Sequence, residues 1–449
     1  MLGQTQAKHI TDRVLALSKT GQAEVMLLVT DSALTRFANN IIHQNVAETD
    51  TGVTVRVALG QRVGTASTND VTDVGLAKAV ERAAELARLQ PENPDFPGFP
   101  KPQPFAPVSG FDEAATCVTP EARAKAVGEI CRQSSEVGAL AAGAFSTQVR
   151  EIAIANSHGV FCYHPLTMCD LHAAVMAPDE GGGGSGYGQM SSWRLSEIQA
   201  EPVGREAAQK ALRARNPQPV EPGVFTVVLE PYAALDLLDM LNYVGMSARA
   251  VQEGRSWMND RIGKPVMSPA VTIVDDGRDE LGFPLPFDFE GVPKQKVVLV
   301  EKGAPRGPVY DLTTARKEGK LSTGHALPPP DSMGPLALNL AMSPGEATVE
   351  EMIRSTERGL YITRFWYTRV VHPRDCVITG MTRDGVFLIE RGELTRPVKN
   401  LRFTQGYVPA LAGVDMIGSE ARTLSGDYLG ASRVPALKLT EFNFTGATQ

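Results

Sequence analysis

The stretch Pro231–Arg261, PYAALDLLDMLNYVGMSARAVQEGRSWMNDR, constrains this chain more than any other. Ala234, Leu237, Leu238, Leu241, Val244, Gly245 and Ala248 fall at the i, i+3, i+4, i+7 spacing of a helix with one buried face. Pro231 suits the first helical turn, where its missing N–H costs nothing, and Gly254 supplies a C-terminal stop. The pattern predicts one helix over 231–254. A helix this apolar needs a core around it, and a chain of 449 residues is long enough to build one in two or three domains.

The flanking sequence predicts an α+β fold. Residues 1–20 read as an amphipathic helix through Ile10, Val14 and Leu17, with no long apolar core of a secretory leader. Glu24–Thr30 reads as a strand. Val53, Val55 and Val57 alternate with polar residues, and Leu59-Gly60-Gln61 turns them into a hairpin. After Asp73 the period changes to that of a helix, through Leu76, Ala79, Val80, Ala83, Ala84 and Ala87. The prolines of residues 91–108 enforce an extended connector. A helix over Thr119–Gly138 and strands over Gly143–Val175, turning at Ser157–Gly159, follow. Gly181–Gly188, GGGGSGYG, reads as a loop over a cleft or a tight turn beside a partner. It lacks the lysine of a phosphate loop, and no clear helix follows its glycines. Arg205–Arg215 reads as a charged helix, and the breakers Pro217, Pro219, Pro222 and Gly223 place a domain boundary near residue 220. Beyond it lie strand Phe225–Glu230, the long helix, and short β runs at Val271–Val274, Lys296–Leu299, Val386–Glu390 and Leu437–Phe444. Thr348–Ser355 is the one further clear helix. The expected architecture is an N-terminal helix-and-hairpin domain, 1–220, and a β-rich domain of curved antiparallel sheets, 221–449, carrying the 231–254 helix.

Bulk properties exclude several functions. A net charge of −7 argues against a protein that binds nucleic acid through phosphates. No run approaches the ~20 apolar residues of a membrane-spanning helix. Five cysteines, none in CxxC spacing, read as reduced thiols of a cytoplasmic protein.

Several segments resemble one family. Arg36–Asn40 (RFANN), Thr51–Val57 (TGVTVRV), Gly64–Asp70 (GTASTND) and the alanine-rich helix after it stand in the order found in the TldD/TldE family, TldE also being called PmbA. Ser256–Val266, Phe287–Gly303 and Gly385–Phe403 are similar to its C-terminal half, so the likeness runs from about residue 10 to residue 445. In that family two related chains pair into a cytoplasmic zinc peptidase acting on unfolded peptides. The TldD chain carries HExxxH on the helix equivalent to 231–254 and a cysteine near its C-terminus. Matched residue by residue, the first histidine falls on Leu241, the glutamate on Asn242, the second histidine on Met246 and the cysteine on Ile417. Leucine and isoleucine cannot ligate zinc, a thioether is a poor ligand for it, and an asparagine amide cannot act as a general base.

The resemblance therefore implies a TldE-like subunit with no catalytic, metal or cofactor residues of its own. Its expected partner is a TldD-like chain that holds the zinc. Two other readings stay open. One is a stand-alone peptidase with a metal site built from His158, His164 and His172, the only sequence cluster among seven histidines. The other is a homodimeric peptide-binding protein. A Cys376 nucleophile with His372 four residues before it is a weaker candidate, because catalytic partners meet through the fold rather than the sequence.

Overall fold

The computed structural model describes residues 1–19, 21–180, 182–425 and 430–447. The fold is α+β. Its N-terminal sheet has 6 strands, all antiparallel, in the spatial order Arg62–Thr68, Ile41–Leu59, Gln22–Ala38, Leu140–Asn156, Phe161–Ala177, Gly184–Ser192. The strands are longer than the sequence pattern suggests. Gln22–Ala38 continues beyond the apolar run through Asp31–Arg36 and reverses at Asn39 and Asn40, whose φ angles of 53° and 60° make the turn expected of a tight hairpin. One face of the sheet carries helices. Gln4–Leu17 and Asp73–Leu89 cover Val25, Leu27, Val53 and Val55, while Pro120–Glu136 and Ala200–Arg213 cover Phe37, Leu171 and Val175. Thr72 and Thr119 cap two of these helices by accepting from Gly75 N and Ala122 N, which fixes where each begins.

The glycine run corrects the sequence reading. Residues 184–192 form the outer strand of the sheet, hydrogen-bonded to Phe161–Ala177. Gly184, Gly186 and Gly188 alternate along it and face helix Ala200–Arg213. A Cβ at Gly186 would lie 2.2 Å from the Ala207 carbonyl oxygen, and one at Gly188 2.5 Å from that of Val203. Glycine is used here for close strand–helix packing. Gly186→Ala is accordingly expected to destabilise the protein by about 1–3 kcal/mol through overpacking. Ser185→Ala, on the opposite face, should stay within about 0.5 kcal/mol. Denaturant midpoints of the two variants check this.

The C-terminal sheet has 11 strands and is mixed rather than purely antiparallel. Gly223–Leu229 runs parallel to Arg358–His372, and Asn339–Met342 parallel to Ala431–Ala447. Arg358–His372, Val377–Glu390, Leu401–Gly406 and Ala431–Ala447 follow one another in the sheet. Gly223–Leu229 pairs with both the first and the last of them, so these strands close into a ring. Closure removes the exposed edges that an open sheet would leave. Phe225, Phe403, Phe442 and Phe444 fill its core. Strand Arg358–His372 and helices Leu312–Lys317 and Tyr407–Ala412 were not legible in the sequence.

The 231–254 helix is also corrected. The helix is Pro231–Gly245, and a separate short helix, Ala248–Gln252, follows a break at Met246-Ser247. The break is held from outside. Val309 N donates to the Met246 carbonyl at 2.9 Å and Ala248 N donates to the Val309 carbonyl at 3.0 Å, so a passing segment takes the place of the next helical turn. Gly254, with φ of 70°, ends the second helix.

The two sheets meet along a seam. Phe287 and Phe289 insert against Met26, Ile152, Ile154 and Leu166, on the face of the N-terminal sheet that carries no helices. Beside them Arg56 donates from Nε to Glu24 at 2.8 Å and lies 3.5 Å from Glu290. Asp288 accepts from the N–H groups of Glu290, Val292 and Ala326, which fixes the loop that carries Glu290.

Candidate functional site

Helix Pro231–Gly245 sits at the centre of the C-terminal core, packed on strands Arg358–His372, Ala431–Ala447 and Val414–Ser425. Its last turn is closed by the Ser256-Trp257 pair. Trp257 Nε1 donates to the Leu241 carbonyl at 2.8 Å, and Ser256 Oγ donates to the Gly245 carbonyl at 2.6 Å. These bonds satisfy carbonyls that a helix end leaves without partners. The Trp257 ring lies so close that a Cβ at Gly245 would stand 2.2 Å from it.

Leu241 and Met246 are 0% exposed and Ile417 is 5% exposed, all within one hydrophobic core. Ile417 lies opposite Leu437 in the sheet, its carbonyl accepting from Ala347 N at 3.2 Å. Asn242 is buried among them. Its Nδ2 donates to the Ala337 carbonyl at 2.9 Å, and its Oδ1 has no hydrogen-bond partner among the described residues. Zinc hydrolysis needs three protein ligands and an open position for water. A donor set of one amide oxygen and one thioether does not fit that ion. Among the described residues no group of three or more histidine, cysteine or acidic side chains is placed to hold a metal.

The other sequence candidates are dispersed. His164 and His172 share strand Phe161–Ala177 eight residues apart, roughly 26 Å at ~3.3 Å per residue. His164 Nε2 bonds the Pro284 carbonyl at 3.1 Å, and burial lowers its pKa to about 4. His158 Nδ1 bonds the Phe99 carbonyl at 2.9 Å, and His172 Nδ1 bonds Asp170 at 2.9 Å. The three therefore do not form one site. Cys376 is fully buried, and burial pushes its thiol pKa up, away from the reactive thiolate. His372 is exposed and pairs with Asp375 at 3.1 Å, so it does not activate that thiol.

One group on the helix escaped the sequence reading. Asp236 accepts from the Tyr407 hydroxyl at 2.5 Å and from Thr368 Oγ1 at 2.8 Å. Burial pushes its carboxyl up to about 6. No pattern in the sequence marks it, because its partners come from a distant strand, Arg358–His372, and a distant helix, Tyr407–Ala412. It ties the helix to the strand beside it.

Comparison with known proteins places this geometry. Family models match along the chain: residues 23–87 match the PmbA/TldA metallopeptidase domain 1, residues 116–215 its central domain and residues 222–446 its C-terminal domain. The metalloprotease PmbA of Escherichia coli O157:H7 is 24% identical over 441 residues, covering 95% of this chain and 93% of that protein. A metalloprotease TldD homolog of Haemophilus influenzae is 24% identical over 399 residues, covering 85% of this chain and 82% of its own length. The crystal structure of TldE from Thermococcus kodakarensis has the same fold, with a TM-score of 0.89 at 18% identity, covering 98% of this chain and 99% of that one. With matching models for each successive part of its sequence and a shared fold over nearly its whole length, the chain belongs to the PmbA/TldD metallopeptidase family.

Proposed function

We propose that this chain is a cytoplasmic, zinc-free partner subunit, of the TldE kind, in a peptidase whose zinc and cleavage chemistry reside on a TldD-like chain. One observation carries the reading. The positions matched to the family's ligands hold Leu241, Met246 and Ile417, packed into a core, and an Asn242 whose amide is bound to a backbone carbonyl. Leucine and isoleucine have no lone pair to offer a metal, and the Met246 thioether is a poor ligand for zinc. The family's shape without its donors favours a role in pairing and in shaping a passage for unfolded peptide. A permanent interface between two such chains would bury more than about 2,000 Å².

The test is reconstitution with a TldD-like chain from the same organism. Size-exclusion chromatography at micromolar concentration should give a joint peak, and cleavage of an unfolded peptide should require both chains. Replacing the zinc ligands of the TldD-like chain should abolish cleavage. Asn242→Ala here should leave most of it. Separate elution with full activity of the TldD-like chain alone overturns the proposal, as does one equivalent of zinc held by this chain with chelator-sensitive proteolysis of its own.

A further inference from the structure

Arginines and aromatic rings share the outer face of the C-terminal sheet, where strands Arg358–His372, Val377–Glu390 and Leu401–Gly406 run side by side. Arg364 stands opposite Arg383, Trp366 opposite Met381, Met381 opposite Arg402, and Arg369 opposite Thr379. Opposed residues of paired strands point to the same face, and Thr379, Met381 and Arg383 alternate along one strand, so all of these side chains lie on one side. Phe365, Ile378 and Thr382 take the other side and are buried. Trp366 is 43% exposed and Tyr367 66%, and Arg369, Arg383 and Arg402 are exposed with them.

A β-bulge brings them together. From Trp366 to Arg369 one strand advances three residues while its neighbour advances two, from Met381 to Thr379. The extra residue turns Arg369 outward, where plain alternation would point it into the core. Tyr367 sits in the bulge at a φ of 58°, a conformation that bulky side chains rarely take. The guanidiniums stack on the rings. Arg364 lies over Tyr187 at 4.1 Å and Trp366 at 5.0 Å, Arg383 over Trp366 at 4.8 Å, and Arg369 over Tyr367 at 4.4 Å. Stacking uses the flat face of a guanidinium and leaves its in-plane N–H fork for a carboxylate. Among the described residues, Asp384 is within ion-pair distance of Arg364 and Arg383, and no carboxylate is within that distance of Arg369 or Arg402. Four arginines thus meet one buried carboxylate, on a chain whose net charge is −7.

We propose that this face docks an extended acidic segment of a peptide, with Arg383 and Arg369 each taking one carboxylate. Arg383 stands four residues from Thr379, the residue opposite Arg369, which is ~13 Å at ~3.3 Å per residue. Carboxylates at i and i+4 of an extended chain have that spacing and point the same way. A single-stranded nucleic acid would need open ring faces for its bases, and guanidiniums already lie over these rings. The choice of a peptide rests on the peptide-handling role proposed above. The test does not, because it uses this chain alone and reads binding rather than pairing or cleavage.

The amide of acetyl-Glu-Thr-Val-Thr-Glu is titrated into the full chain by calorimetry at low salt, beside the same peptide with glutamine in place of both glutamates. The acidic peptide should bind about tenfold or more tightly, and added salt should weaken it. Arg369→Gln and Arg383→Gln should each weaken it about threefold or more, and the double variant should lose the preference for glutamate. Both positions are exposed, so the denaturation midpoints should stay close to that of the parent. Arg82→Gln, on an exposed helix position far along the chain, should leave binding unchanged. Equal binding of the two peptides, a preference that survives the double variant, or an equal loss in Arg82→Gln overturns the assignment. Tighter binding of an oligothymidylate than of the acidic peptide, or no binding of any probe, overturns it as well.

Discussion

Leu241→His, which places a histidine where the resemblance matches the family's first one, is expected to destabilise the protein by about 3–5 kcal/mol. Leu241 is 0% exposed in the largest core. Its carbonyl accepts from Trp257 Nε1, so the residue sits where the helix end is clamped. An imidazole there loses the packing of a branched side chain and leaves two ring nitrogens without partners. Met246 and Ile417, matched by resemblance to the other ligands, cannot complete a zinc site around it. The denaturant midpoint of the variant with and without added zinc is the measurement. The expected outcome is a large loss that zinc does not reverse. A midpoint unchanged from the parent would show the position is not core, and strong rescue by zinc would show a latent site.

Arg56→Met is expected to cost about 3–5 kcal/mol at pH 8 and clearly less at pH 5. Arg56 is bonded to two buried carboxylates, Glu24 at 1% exposure and Glu290 at 6%. One positive charge cannot offset two negative ones, and burial pushes both Glu24 and Glu290 up to about 7. Asp288 beside them is pushed up to about 6, also by burial. Carboxyls raised in the folded state bind protons more tightly there than in the unfolded chain. Their stabilising contribution is full below the unfolded value near 4.5 and is lost as pH rises through about 7. Without Arg56 the folded values rise further, so the penalty grows with pH across this window. Unfolding titrations of parent and variant between pH 5 and pH 8 give the difference directly. A gap between them that is constant with pH would rule out this charge arrangement.

The sequence was most legible where local chemistry and tertiary contact demand the same thing. Asp73–Leu89 begins where Thr72 can cap it and buries Leu76, Ala79, Val80 and Ala83 at helical spacing. The Leu59-Gly60-Gln61 turn forms between paired strands, with Gly60 at a φ of 63°. It was least legible where a distant segment supplies the partner. Strand Arg358–His372 carries exposed Trp366 and Tyr367 between register shifts, which erases the period of 2 that marks a strand. The alternating glycines of 184–188 have a strand period, but without side chains they show no hydrophobicity. Only the backbone of helix Ala200–Arg213 against them reveals why they are glycine.

The candidate site divides in the same way. The matching of Leu241, Asn242, Met246 and Ile417 to the family's ligands is a reading of the sequence, resting on residue identity and local motif order. That the helix stops at Gly245 was decided by Trp257, Ser256 and Val309, which take over its terminal carbonyls from outside its own periodicity. That Arg56 and Glu290 are held in low-dielectric surroundings was decided by the meeting of two sheets, and that Asp236 is so held was decided by the packing of the C-terminal core around its helix. Arg56 and Glu290 stand 234 residues apart, and no local pattern encodes which buried charge meets which. Local periodicity is a property of neighbours in the chain, whereas desolvation and charge pairing are properties of neighbours in space.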